Sequence, residues 1–95
     1  MTSFIDVYKN NLSSLIDSIS QDTEYFIFNK EQFTTFEIEK NIEDGKKLFK
    51  KFWNYRFFKS LESYVLNFTY VLHKYLIALQ GELMERKNDK RSLCL

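Results

Sequence analysis

Apolar positions along this chain recur mostly at three- and four-residue steps, the period of helices with one buried face. Phe4, Ile5, Tyr8, Leu12, Leu15, Ile16 and Ile19 share a face and predict a helix over 4–19. Ser3 is its candidate cap, and Asp6 sits in a first turn where the helix dipole favours an acid. Ser18, Ser20, Gln21 and Asp22 then read as a polar break.

Residues 24–43 fit two patterns. Tyr25-Phe26-Ile27-Phe28 and Phe33 to Glu39 are aromatic and β-branched, which suits a hairpin over 25–38. Such a hairpin is marginal unless helices cover it. The helical alternative uses Asn29 as cap with Gln32 three residues on, but sets Phe33 and Phe36 well away from Ile38 and Ile42. Asp44-Gly45 reads as punctuation before a basic amphipathic helix. There Leu48, Phe49, Phe52, Trp53 and Tyr55 oppose Lys46, Lys47, Lys50 and Lys51. The pattern fails after Arg56, which predicts a break near 58–60 with Ser60 as the next cap.

Leu61, Tyr64, Val65, Phe68, Val71, Leu72, Tyr75, Leu76 and Leu79 form a broad core stripe on a helix over 61–80. A second stripe runs behind it, through Leu66, Tyr70, His73 and Ile77. A surface helix needs one apolar stripe, so the second must meet another helix, a second copy or a partner. From residue 81 the sequence turns polar. The expectation is one all-α domain over 1–87, a bundle of three or four helices, with a polar tail over 88–95. The alternative is α+β, with the 25–38 hairpin packed on helices.

Composition narrows the function. Ninety-five residues suit a single domain, for which about 5,800 Å² of folded surface is expected. Aromatics reach 18%, Pro is absent and Gly occurs twice, against a turn-rich β-sandwich. One Cys (Cys94) excludes a disulfide framework or a thiolate metal site within one chain, and one His (His73) excludes a multi-histidine metal site. No cofactor is implied. The chain has no secretory leader pattern and no apolar run of membrane-spanning length, so a reducing, cytoplasmic location is the expectation. The net charge of +1 hides an asymmetry: residues 1–45 carry nine acids and three bases, residues 46–95 eleven bases and four acids.

Catalytic signals are nearly absent. Gly45 and Gly81 stand alone, so there is no phosphate-cradling loop. His73 is the one candidate base, mid-helix, with no nucleophile elbow nearby. The acid pairs Glu37/Glu39 and Glu43/Asp44 read as solvated. The expectation is therefore a non-enzymatic interaction module: a helical subunit, inhibitor or adaptor that binds a protein partner or itself, with no small-molecule substrate. Its contact residues would be Leu66, Tyr70, His73 and Ile77, with Trp53, Phe57 and Phe58 as further anchors. The alternative partner is nucleic acid, with Lys46, Lys47, Lys50, Lys51 and Lys59 reaching successive phosphates.

Overall fold

Three helices account for the fold, α1 (Phe4–Asn29), α2 (Thr35–Trp53) and α3 (Glu62–Leu93). The structure, a computed structural model, describes residues 4–93 and the side chains of residues 5–88. No strand occurs among the described residues, which settles the all-α reading against the hairpin.

α1 runs ten residues past the expected stop at Ile19. Ser18, Ser20, Gln21 and Asp22 simply lie on its solvent face, while Leu12, Ile19 and Phe26 keep the buried side at seven-residue steps. The segment has neither Gly nor Pro, and polar residues alone do not stop a helix. Thr23 Oγ1 donates to the Ile19 carbonyl at 2.7 Å, holding the hydroxyl within the helix. Phe26 is core, whereas Tyr25, Ile27 and Phe28 are exposed, so the β-prone run is the end of an amphipathic helix.

The α1–α2 connection is a 3₁₀ turn, Lys30–Gln32, followed by extended Phe33. Asn29 precedes this turn without a side-chain capping bond and does not cap α2; its Nδ2 donates to the Tyr25 carbonyl. The cap of α2 is Thr34, whose Oγ1 accepts from the Glu37 amide at 3.1 Å while Glu37 reaches back to the Thr34 amide. The misfit of Phe33 and Phe36 with Ile38 and Ile42 is thereby resolved. Phe33 lies in the turn, edge-on to Phe26 at 5.1 Å. Phe36 stays exposed, and Ile38 and Ile42 face the core.

Gly45 does not punctuate the chain, because α2 passes through it. It is buried against α3: a Cβ there would stand 2.8 Å from Leu76 Cδ2 and 3.5 Å from Leu72 Cδ1. The missing side chain is what lets the two helices approach. The expected break after Arg56 is present. A 3₁₀ turn, Asn54–Phe57, ends α2, and α3 begins at Glu62. Leu61, not Ser60, occupies the cap position, since its carbonyl accepts the first helical bond from Val65 at 2.9 Å. α3 then continues to Leu93 with no break at residue 87, about 48 Å at 1.5 Å per residue.

α1 and α2 both pack along α3, parallel and antiparallel to it. Leu12, Ile19, Phe52, Leu61, Val65, Phe68 and Leu72 form one buried cluster. Phe26, Ile38, Ile42 and Leu79 form another. Tyr75 and Leu76 pack against both, so the core is one continuous seam. At the α1–α2 turn it is closed by Arg86. Its Nε donates to Glu82 (3.0 Å), its Nη1 to Thr35 Oγ1 (3.2 Å) and its Nη2 to the Lys30 carbonyl (2.9 Å). At the other end, Tyr55 Oη donates to Tyr8 Oη at 3.3 Å.

The result is a rod of 62 × 22 × 17 Å with a radius of gyration of 16.2 Å. A compact chain of this length would have about 12 Å. Its surface is 7091 Å², against about 5,800 Å² for a typical fold of this mass. The rod shape leaves apolar area uncovered, and the location of that area bears directly on function.

Candidate interaction surface

The inward stripe of α3 dictates where its second stripe points. Leu61, Val65, Phe68, Leu72 and Leu79 are at most 1% exposed. Leu66, Tyr70, His73 and Ile77 each lie five positions after one of the first four. Five residues are about 140° round the axis, which turns them away from α1 and α2. Leu66 is 48%, Tyr70 62% and Ile77 54% exposed, and His73 is exposed too. Burial of this stripe inside the bundle is therefore excluded.

Three further residues enlarge the face. Met84, 64% exposed, follows Ile77 at a seven-residue step. That periodicity is present in the sequence but lies within the stretch that turns polar. Ile27 and Phe28 come from the end of α1. Two grooves at the α1–α3 seam join them to the stripe. Thr23, Ile27, Phe28, Tyr70 and Lys74 line one of about 400 Å³. Ile27, Lys30, Ile77, Gly81 and Glu85 line another of about 200 Å³. Ile27 belongs to both, so the face is continuous. Lys74 Nζ lies over the Tyr70 ring at 4.8 Å, and the residue still stays largely exposed.

Trp53, Phe57 and Phe58 are not brought to these grooves. Trp53 is half-buried and stacked on Phe49 at 5.1 Å. Arg56 covers both Trp53 (4.1 Å) and Phe57 (4.3 Å), and its Nη1 donates to the Trp53 carbonyl. Trp53 thus belongs to an internal ladder that stiffens the α2–α3 turn. Phe57 and Phe58 remain exposed, as a separate patch at that end.

Lys46, Lys47, Lys50, Lys51 and Lys59 are all exposed, and none forms an ion pair among the described residues. Two of them rim a third groove, of about 340 Å³, between α2 and α3. Lys46 and Lys50 stand over Phe49, Thr69, Leu72, His73 and Leu76. Thr69 Oγ1 is buried there without a hydrogen-bond partner. Glu37 is occupied by the capping box, and Cys94 lies outside the described residues.

Two tyrosines titrate above their ordinary value. The hydrogen bond with Tyr55, with burial second, raises Tyr8. Burial first, then the charges of Asp22 and Asp44, raises Tyr75. Among the described residues no group of His, Cys, Asp and Glu is placed to hold a metal ion. No helix there is long and apolar enough to cross a membrane. Comparison of the chain with protein-family models, with curated proteins and with solved structures yields no match.

Proposed function

We propose that this chain is a non-enzymatic helical interaction module whose contact surface is the outer stripe of α3 together with Ile27 and Phe28 of α1. One observation carries the reading. A single helix keeps one face fully buried while a second apolar stripe, with a tyrosine at its centre, stays exposed and continuous with the neighbouring helix. Contiguous exposed apolar patches mark binding sites more often than scattered apolar residues do. Tyrosine is favoured in such contacts because it covers a large area with few torsions to order. The lone Cys94 fits a reducing, cytoplasmic-type compartment.

Photo-crosslinking in cells tests the reading, with a benzophenone amino acid at Tyr70 or Ile77 and, as control, at exposed Asn11. Discrete protein adducts at the two stripe positions and none at Asn11 are expected. Adducts at Asn11 alone would overturn the proposal.

A second reading is favoured by the five exposed lysines, which form no ion pair among the described residues. In it the Lys46–Lys59 face holds a nucleic-acid backbone. Binding to duplex DNA would then fall by about 0.9 log units per log unit of salt for each phosphate contacted. Exchange of Lys46, Lys47, Lys50 and Lys51 for Gln would abolish it. Salt-independent association insensitive to those exchanges speaks for the apolar stripe.

A further inference from the structure

Resting on the docking-face reading, we infer that the partner of the α3 stripe is a second copy of this chain, paired antiparallel about a twofold axis at the level of Tyr75. The outer stripe is a heptad seam: Leu66, Tyr70, His73, Ile77, Gln80 and Met84 follow at steps of four, three, four, three and four, and all six are exposed. Two such seams interlock when each knob finds a hole on the facing helix. In the antiparallel register centred at 75, Leu66 meets Met84 of the other copy, Tyr70 meets Gln80, and His73 meets Ile77. All six positions are then paired. A slip of one heptad either way leaves Leu66 or Met84 without a counterpart, so the pattern favours one register. The polar members His73 and Gln80 resist slippage, as buried polar residues do in coiled coils.

Charge selects the antiparallel direction. The fold converts the charge split of the sequence into a dipole along the rod. The half holding the α1–α2 turn (residues 20–45 and 76–88) carries nine acids and four bases. The half holding the α2–α3 turn (residues 4–15 and 46–66) carries seven bases and two acids. An antiparallel pair sets the acidic half of one copy beside the basic half of the other, whereas a parallel pair sets like against like.

Sedimentation equilibrium of the purified chain between roughly 1 µM and 1 mM, a range that brackets micromolar affinity, should show a monomer–dimer equilibrium. Tyr70→Glu/Ile77→Glu should weaken it by about a hundredfold or more with the helical circular dichroism retained. Leu66→Lys provides the same test should the double variant unfold. The direction is read by disulfide exchange. In a Cys94→Ser background, Leu66→Cys and Met84→Cys chains are mixed in a glutathione buffer. Disulfides between unlike chains are expected in excess over those between like chains. A 66–66 disulfide would overturn the antiparallel order. A chain monomeric throughout would overturn self-pairing, while leaving the docking face to the crosslinking result. A dimer indifferent to the stripe variants would overturn the docking face itself.

Discussion

The two glycines of this chain sit mid-helix in opposite surroundings, so the same substitution should have different consequences. Gly81 has no atom within 4 Å of where a Cβ would stand. Gly81→Ala therefore yields the full gain in helix propensity, about 0.8–1 kcal/mol. For a chain of this size that raises Tm by about 4–8 °C. Gly45→Ala has the same intrinsic gain, but its new methyl stands 2.8 Å from Leu76 Cδ2. Leu76 must turn, at a cost of about 0.5–1.5 kcal/mol for an off-rotamer side chain. It has room to do so, because it lines the 340 Å³ groove between α2 and α3. The two terms nearly cancel, and Gly45→Ala should leave Tm within a few degrees of the parent. Gly45→Val adds a second methyl and a β-branch against the same contact, and overpacking of this kind costs about 1–3 kcal/mol. Thermal unfolding followed at 222 nm, at one fixed protein concentration, reads all three. The order Gly81→Ala above parent, Gly45→Ala near parent and Gly45→Val below is expected. If Gly45→Ala stabilises as much as Gly81→Ala, the close approach of α2 to α3 at Leu76 is not what Gly45 provides.

Other outcomes follow from the same geometry. Arg86→Met removes the guanidinium bonds to Thr35 and to the Lys30 carbonyl but keeps the helix-forming stem. It should cost about 1–3 kcal/mol in urea unfolding, at about 1 kcal/mol per bond and more for a charged donor, and speed proteolysis within residues 30–34. An unchanged urea midpoint would mean the clasp is inert. Because burial, aided by Asp22 and Asp44, raises the Tyr75 hydroxyl, the unfolded chain loses that proton first as pH climbs past about 10. Stability should be level with respect to Tyr75 below pH 10 and fall as pH rises through the folded-state value. Tyr75→Phe should flatten that fall in urea midpoints taken at pH 8, 10 and 11, and an identical slope would refute the assignment.

Much of the exposed apolar face is legible in the linear pattern alone. Leu66, Tyr70, His73 and Ile77 stand out because two stripes cannot share one side of a helix, whatever the helix packs on. Met84 is masked by its charged neighbours, and Ile27 and Phe28 are hidden in a run equally suited to a strand. Trp53 reads as a further anchor in the linear pattern. Nothing in the linear order shows that Phe49 stacks on it and that Arg56 lies over its ring.

Periodicity by itself determined that 4–19 and 61–80 are helical, where α3 buries its face, and that α2 and α3 are separated near residue 58, whereas residues 24–43 fitted either a helix or a hairpin. Those properties are local, since the period of the apolar positions and the geometry of one helix are sufficient for them. The helix ends were a different matter. Gly45 resembles a stop, and Ser18 to Asp22 resemble a break, until a neighbouring helix supplies burial that outweighs the small propensity cost. Only the tertiary structure decided whether the outer stripe of α3 was covered, since that depends on how many helices the chain can lay against it. Three helices in a rod cannot surround the longest of them, so the α3 stripe remains exposed.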